Sequence, residues 1–306
     1  MPDLLWPIKW LIELILVGFH NLFTAIGLGT DSGLTWVLSI VGLVLVIRAA
    51  LIPIFVKQIK SQRNMMLVQP ELQKLQAKYK GKTDQASREK FAREQMDLYK
   101  RTGSNPLSSC LPLLLQMPIF MSLFFVISDA VNLGSGVGLL TKDLANSFKD
   151  AEFFSAPIAA TFFSTDDISV KILAGVMIVL MTASQFITQK QIMAKNQNPE
   201  TMNSQFMQTQ KILLYVLPLV FLISGVSFPL ALMVYWTVSN FWTMGQQFVV
   251  IRNMPTPGSP AHKARQERLA KKGKLEVEPT LETLEEQAKA QRQQPVGKAR
   301  AKKKKK

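Results

Sequence analysis

The sequence predicts an all-α integral membrane protein whose core consists of five transmembrane helices. Of the 306 residues 48% are hydrophobic, and they are concentrated in blocks rather than spread along the chain. A block of about 20 apolar residues is long enough to cross a bilayer as a helix. The segments between the blocks also alternate in net charge, as loops on opposite sides of a membrane do. Together the five candidate spans define a membrane core over residues 34–251. The spans are 34–56, 107–128, 172–190, 211–225 and 228–251.

The distribution of Lys and Arg predicts the orientation of these spans. Residues 57–105 carry 12 basic and 5 acidic residues, and the tail 252–306 carries 16 basic and 6 acidic residues. Residues 129–171 carry only 3 basic residues against 6 acidic ones. Because positively charged loops stay in the cytoplasm, we expect the 57–105 segment and the C-terminus there. The N-terminus and the 129–171 loop are then outside.

Residues 1–33 form a segment of their own. Residues 8–28 are long enough to span a membrane, and Trp6 and Trp10 at their start are typical of a membrane interface. This stretch also contains four polar residues: Lys9, Glu13, His20 and Asn21. We therefore favour an amphipathic helix on the outer membrane surface, with a sixth span or a signal anchor as the alternative. A cleaved signal peptide is disfavoured, because a basic leader and an Ala-x-Ala-like site are missing.

Arg48 is a charged residue inside the first candidate span. It lies nine residues before Lys57, which is about 13 Å along a helix. A charge at such a depth costs at least ~2.5–3.5 kcal/mol, and no Asp or Glu lies inside another apolar block. An Arg side chain reaches about 6 Å, so snorkelling brings this one to the surface only if local thinning of the bilayer or inflowing water makes up the difference. We favour a water-filled groove open to the cytoplasm, with snorkelling as the alternative.

Residues 57–105 are expected to form a cytoplasmic hairpin of two helices. Apolar residues recur at helical spacing in 57–80 and in 85–101, and the turn-forming residues 81–84 separate the two arms. Pro70 is expected to begin a new turn or to kink the first arm. The whole segment has about 50 residues, far more than a connection between spans requires. We therefore favour a partner-binding or mobile role over that of a plain connector.

The chain returns to the membrane at Asn105 and Pro106. Asn is a favoured N-cap residue and Pro is favoured at the first position of a helix, so the second span should begin here. The loop 129–171 that follows this span is rich in Gly, Ser and Phe. Within it, residues 143–154 are a candidate for a short amphipathic helix on the outer leaflet.

Polar residues at matching depths predict that several spans share a groove. Gln116 lies nine residues into the second span, at about the depth of Arg48, and Gln185 lies in the cytoplasmic half of the third span. On the fifth span four polar residues follow at steps of three, three and four: Thr237, Asn240, Thr243 and Gln247. Such steps place them on one helical face. Each residue alone fits an ordinary contact between helices, but together they predict a polar groove around Arg48.

The tail 252–306 is expected to be mostly disordered. It opens with a Pro-rich linker, continues through an acidic patch around 276–286 and is otherwise strongly basic. It ends in five lysines: Lys302, Lys303, Lys304, Lys305 and Lys306. These charges suit contacts with the phosphates of ribosomal RNA or with anionic lipids. The alternative is a charge run that only reinforces the topology.

The sequence offers no catalytic residue, no metal site and no cofactor motif. His20 and His262 are the only histidines, and the single cysteine, Cys110, excludes an internal disulfide. We therefore expect a protein that is not an enzyme. A transporter using Arg48 as its anion site is one alternative, but the inverted repeats typical of transporters are not evident. A purely structural tether for the ribosome is the other.

Seven motifs over residues 5–250 resemble the YidC/Oxa/Alb family of membrane protein insertases. They lie in or next to the spans and the hairpin: Leu45-Val46-Ile47-Arg48 leading to Pro53, Lys57-Gln58, Gln69-Pro70-Glu71-Leu72, Gly103-Ser104-Asn105-Pro106-Leu107, Cys110-Leu111-Pro112, Gln116-Met117-Pro118-Ile119-Phe120 and Tyr235-Trp236-Thr237-Val238-Ser239-Asn240. The large periplasmic domain and the extra first span of Gram-negative members are absent, as is the lipoprotein-type signal of some Gram-positive members. We therefore expect a short, Gram-positive-like form.

The resemblance implies a function and a set of partners. It implies a five-helix core with a hydrophilic groove, a cytoplasmic hairpin and an outer amphipathic helix. The implied activity is the insertion of newly made membrane proteins into the bacterial cytoplasmic membrane, alone or beside the Sec translocon, without an ATP site. By motif match Arg48 is the groove arginine, and Gln116, Thr237 and Asn240 line the groove. Nascent membrane proteins, the ribosome and anionic lipids are the expected partners of a chain that works as a monomer.

Overall fold

The computed structural model describes residues 4–104, 111–197, 212, 214–216, 219–220, 222–274 and 281–292. Helices dominate this part of the chain: α1 Trp6–Ala25, α2 Gly33–Tyr79, α3 Gln85–Thr102, α4 Leu111–Asn132, α5 Lys142–Asp150, α6 Ile168–Lys195, α7 Leu230–Asn253, α8 Pro260–Ala270 and α9 Leu281–Arg292. The described residues between 212 and 225 are helical as well. Two short strands, β1 Glu152–Phe153 and β2 Ala156–Pro157, pair antiparallel.

Four helices of the described part are long and apolar enough to cross a membrane. They are α1, α2, residues 114–132 of α4, and α6. The predicted class, an all-α membrane protein, is confirmed. Helix α7 has 24 residues but carries polar side chains along its length, and residues 211–225 are described only in part. The count of five spans therefore stays a prediction.

Helix α2 joins the first span and the first hairpin arm in one helix of 47 residues. At 1.5 Å per residue it is about 70 Å long, more than twice the hydrocarbon thickness of a bilayer. Pro53 and Pro70 both lie inside it, so neither proline divides the span from the arm. The hairpin turns at Gly81, where φ is 83°, and Asp84 caps α3 by accepting a hydrogen bond from the Ser87 amide.

The main apolar core lies where α1, α2, α4, α6 and α7 pack together. Trp36 of α2 is fully buried at its centre and stacks on His20 of α1, with ring centroids 4.1 Å apart. The indole N–H of Trp36 donates a hydrogen bond to the hydroxyl of Ser147 in α5. Helix α5 is thereby fixed over one end of the core. It ends at Asp150 rather than at the predicted residue 154, because Ala151 is extended and β1 begins next.

Three polar residues of α1, namely Lys9, Glu13 and His20, bind protein groups rather than facing water, whereas Asn21 is exposed. Lys9 forms an ion pair of 3.3 Å with Asp129 at the end of α4. Glu13 is fully buried and accepts hydrogen bonds from the amides of Val137, Gly138 and Leu140. These residues favoured a surface helix in the sequence, yet they point into the protein. The interfacial position of α1 stays a prediction.

The structure describes two parts of the tail, residues 252–274 and 281–292. Helix α8 begins where Ser259 accepts a hydrogen bond from the His262 amide and Pro260 occupies the first turn. Helix α9 packs on both hairpin arms. The structure thus describes a helix in each of these two segments, and the expectation that the tail 252–306 as a whole is mostly disordered stays a prediction. Residues Lys302–Lys306 lie outside the described residues.

Candidate functional site

Arg48 is half-buried on α2 and has no acidic partner in the part of the chain that the structure describes. Within the described residues it forms no ion pair and no hydrogen bond. Its guanidinium carbon lies 5.8 Å from the centre of the Phe55 ring, a cation–π contact with the buried aromatic side chain two turns further along α2. Such a contact orients the guanidinium without neutralising it. The structure therefore leaves a positive charge and its N–H donors available at this depth.

Gln116 of α4 and Tyr235 of α7 form a polar pair near Arg48. The amide of Gln116 donates a hydrogen bond of 2.6 Å to the hydroxyl of Tyr235, whose side chain is 3% exposed. Arg48 lies within electrostatic range of this hydroxyl. The Tyr235 O–H can still donate, and the Gln116 carbonyl can still accept. Three different helices thus bring two donors and one acceptor to one region.

Asn240 joins two helices. Its side-chain amide donates a hydrogen bond of 3.3 Å to the backbone carbonyl of Met181 in α6, and it is buried. Gln185 lies one turn further along α6 on the same face and is partly buried. The structure therefore gives Asn240 a role in holding α6 against α7, and it does not bring Gln185 into contact with Arg48 or Gln116.

Buried hydroxyl groups occur along the same helices. Thr237 is 8% exposed, and within the described residues its hydroxyl has no hydrogen-bond partner. The same holds for Thr182 on α6 and Ser122 on α4. Most buried hydroxyls in proteins are satisfied. These three give the interior of the bundle hydrogen-bonding capacity that the described protein groups do not use.

The arrangement suits a polar or negatively charged group that enters a largely apolar bundle. Arg48 supplies a charge whose attraction for an anion is stronger than in bulk water, because the surroundings have a low dielectric constant. Tyr235 supplies a hydroxyl donor, while Gln116 can accept from an amide. Among the described residues no three His, Cys, Asp or Glu side chains are grouped to hold a metal ion.

A second candidate surface is the open cleft between the hairpin arms. Its volume is about 330 Å³, and its lining is mostly charged: Glu71, Lys74, Leu75, Lys78, Glu94, Asp97, Leu98 and Arg101. Leu98 of this lining also belongs to an apolar cluster of five buried residues: Met65, Val68, Leu72, Leu98 and Tyr99. Leu281 of α9 packs against this cluster. The hairpin thus has an apolar base covered by the tail and a charged cleft that remains open.

An ion pair joins the two arms next to the hairpin turn. Lys78 Nζ lies 2.7 and 2.8 Å from the Glu94 carboxylate oxygens, and the Tyr79 hydroxyl donates to the same carboxylate at 2.9 Å. The hydrogen bond to Glu94 raises the pKa of Lys78 and of Tyr79. The bonds from Lys78 and then Tyr79 lower the pKa of Glu94. The three groups therefore stabilise one another in their usual charge states.

Tyr235 belongs to one of the seven motifs but was not among the groove residues predicted from the sequence. It lies two residues before the polar series on α7, in an apolar run, where a tyrosine resembles ordinary core. The available signal was its hydroxyl, because a buried tyrosine usually needs a hydrogen-bond partner. Gln116, at a matching depth on another span, is that partner.

These features define a class: a helical integral membrane protein with polar side chains between its long apolar helices and a long helical hairpin. The model of the family described as "60Kd inner membrane protein" matches residues 27–257. The chain is 44% identical to the membrane protein insertase YidC of Tropheryma whipplei (strain Twist), covering 99% of this chain and 97% of that protein. It is 45% identical to the YidC of Streptomyces avermitilis over 87% of this chain and 61% of that one.

A third relative is the membrane protein insertase YidC of Bifidobacterium longum, 37% identical over 98% of this chain and 95% of that protein. The chain therefore belongs to the 60Kd inner membrane protein family. The resemblance inferred from the motifs is confirmed. The relatives and the apolar helices together support an integral protein of the bacterial cytoplasmic membrane.

Proposed function

We propose that this protein inserts newly made membrane proteins into the bacterial cytoplasmic membrane and assists their folding there. The names of its relatives support this activity, and the long apolar helices support the location. The observation that carries the mechanism is Arg48, a half-buried cation without an acidic partner among the described residues. The protein acts by binding, without a cofactor and without catalysing a covalent step.

Arg48 lowers the cost of moving a polar chain segment into the membrane. In this mechanism the hydrophilic flank of a nascent segment enters a groove open to the cytoplasm, where an acidic side chain or a backbone carbonyl meets the guanidinium. Tyr235 and Gln116 add a donor and an acceptor at the same place. Because an uncompensated polar group in hydrocarbon costs several kcal/mol, even a transient partner at mid-depth accelerates the crossing.

The apolar part of the substrate leaves sideways into the lipid. Support comes from the surface beside Gln116, where Leu114 is 60% and Met117 is 45% exposed. A hydrophobic segment can slide along such side chains while its polar flank is held at Arg48. The unbranched, flexible side chain of Met117 suits substrates of different shapes. Gln185 and Thr237 extend the polar lining, whereas Asn240 keeps the walls formed by α6 and α7 together.

The topology and the partners follow from the charge distribution. The N-terminus and the 129–171 loop lie outside, and the hairpin and C-terminus lie in the cytoplasm, as the basic residues favour. The charged cleft of the hairpin receives substrate on its way to the groove. Residues Lys302–Lys306 bind ribosomal RNA or anionic lipid through their charge. The protein works as a monomer, alone or beside the Sec translocon.

Site-specific photo-crosslinking from position 48 during translation tests this function. A crosslinker there should capture a nascent membrane protein while its first hydrophobic segment is entering. A crosslinker at position 74 in the hairpin should capture the same chain at an earlier length. The proposal would be contradicted if neither position captured a ribosome-bound membrane protein under conditions in which the cell depends on this protein.

A further inference from the structure

The turn between β1 and β2 holds a phenylalanine in a conformation that the residue disfavours. The strands pair Phe153 with Ala156, so Phe154 and Ser155 form a two-residue hairpin turn. Their φ angles are 52° and 57°, the left-handed values that such turns need and that Asn and Gly supply easily. A bulky residue there is an outlier. Yet Phe154 is 76% exposed and contributes little to the packing of the described residues.

The backbone of this hairpin is held at the ends of two membrane helices. Ser32, which precedes α2, forms a bridge with Glu152, and a Cβ added at Gly33 would overlap the Glu152 backbone. The first two amides of α7, Leu230 and Ala231, donate to the carbonyls of Ala160 and Ile158. The β1–β2 hairpin is therefore level with the N-terminal ends of α2 and α7. These ends lie opposite the cytoplasmic helical hairpin of residues 57–105. Apolar spans end at the boundary between hydrocarbon and headgroups.

A second aromatic turn lies close to the same level. Residues 161–164 form a tight turn closed by bonds between the Ser164 side chain and the Thr161 backbone. Phe163 in this turn is 73% exposed. Helix α6 begins five residues later, and its exposed residues Ile168 (65%) and Ile172 (60%) continue the apolar surface.

We propose that Phe154 and Phe163 form a lipid-contact surface that inserts into the boundary between acyl chains and headgroups of the outer leaflet. Exposed aromatic residues at the ends of spans are typical of this boundary. The surrounding segment 129–171 carries six acidic residues against three basic ones. Among them Asp166 pairs with Lys171, and Asp167 caps α6. The contact therefore depends on apolar insertion and not on anionic headgroups. It fixes the depth at which the outer ends of α2, α6 and α7 sit.

Spin labelling tests this contact. In a Cys110→Ser background, which removes the only cysteine, Phe154→Cys and Phe163→Cys each accept a nitroxide label. In liposomes of neutral phosphatidylcholine, both labels should be more accessible to oxygen and less accessible to a water-soluble nickel complex than a label at Asp166→Cys, whose side chain is fully exposed. Adding anionic lipid or salt should leave the difference unchanged.

Two results would overturn the proposal. One is equal access of the nickel complex at positions 154, 163 and 166 in liposomes that contain only this protein. The other is protection at 154 and 163 that appears only when a second membrane protein is added, which would assign the surface to a protein partner. Gel filtration of each labelled variant checks that its fold is retained. The surface positions 154 and 163 tolerate the change because neither side chain is buried.

Discussion

Gln116 donates a hydrogen bond of 2.6 Å to the hydroxyl of Tyr235 and so ties α4 to α7 beside Arg48. We expect Tyr235→Phe to destabilise the protein by about 0.5–1.5 kcal/mol, because the partly buried amide of Gln116 loses its acceptor. The double variant Tyr235→Phe with Gln116→Leu should recover part of this loss. Thermal unfolding in detergent of the wild type, the two single variants Tyr235→Phe and Gln116→Leu, and the double variant gives the coupling free energy between the two side chains. A coupling of zero would show that the bond contributes nothing.

Loss of the Arg48 charge should affect substrates according to their own charge. Arg48→Ala should impair insertion most for substrates with acidic residues beside the first hydrophobic segment, and Arg48→Lys should retain most of the activity. The reason is that either cation attracts a carboxylate, although only Arg offers a planar fork of donors. Complementation of a depleted strain, followed by protease protection of several substrates, measures the effect.

The matched control for Arg48→Ala is Lys57→Ala, which removes one positive charge from the same helix at the end of the predicted span. It should leave insertion nearly unchanged. If the Arg48→Ala protein inserted acidic and neutral substrates equally well, the positive charge of Arg48 would have no part in the mechanism.

Local sequence patterns predicted the all-α class, the long apolar helices and the two helical arms within residues 57–105, because each depends on residues close together in the chain. Contacts between distant residues were not predictable in this way. Tyr235 meets Gln116 across 119 positions, and Asn240 meets Met181 across 59. The uninterrupted course of α2 past Pro53 and Pro70 was missed for a different reason. A proline removes one hydrogen bond, and packing of the remaining residues can compensate for that loss.

The ion pair between Lys78 and Glu94 predicts how the hairpin responds to pH. The pKa of Glu94 is below its ordinary value of 4.5, so its contribution to stability is present above pH 4.5 and is lost as the pH falls through the lowered pKa. The pKa of Lys78 is above its ordinary value of 10.5, so its contribution is lost only as the pH rises through the raised pKa. The hairpin tip should therefore be most protected between these limits.

Hydrogen exchange of residues 76–97 measured from pH 3 to pH 8, corrected for the intrinsic pH dependence, tests this expectation. The wild type should gain protection as the pH rises through the acidic range, and Glu94→Gln should show a flat profile. Glu89→Gln is the matched control, since Glu89 also lies on α3 but bonds only to Gln85. An acidic transition that persists in Glu94→Gln would have to come from another group.

Helix α9 is held on the base of the hairpin by a small apolar face. Leu284 and Ala288 are 4% and 7% exposed, Ala288 lies against Gly103, and Glu285 is 3.9 Å from Arg101. We expect Leu284→Asp to release α9, because burial of one Leu side chain contributes about 1.5–3 kcal/mol. Trypsin should then cleave faster at Lys271, Lys272 and Lys274. Glu286→Ala, at an exposed position of the same helix, should leave the cleavage rate unchanged.

Glu13 fixes α1 to the segment that follows α4. Its fully buried carboxylate accepts two hydrogen bonds of 2.7 Å, from the amides of Val137 and Gly138. A Cβ at Gly136 would overlap that carboxylate. In Glu13→Gln the new side chain has nearly the same shape, but its N–H₂ group faces N–H donors. The hydrogen bonds to the charged carboxylate, which contribute about 1.5–3 kcal/mol each, are then weakened or lost. We therefore expect a large fall in the unfolding temperature, and a similar fall for Gly136→Ala.

Glu152→Gln is the control for this pair of variants, because it changes an exposed carboxylate at the same end of the molecule and should shift the unfolding temperature little. The two destabilising changes act on one contact. The unfolding temperature of the double variant Glu13→Gln with Gly136→Ala should therefore fall by less than the sum of the decreases in the two single variants. Strict additivity in calorimetry would mean that the carboxylate and the glycine stabilise the fold independently, contrary to the contact between them.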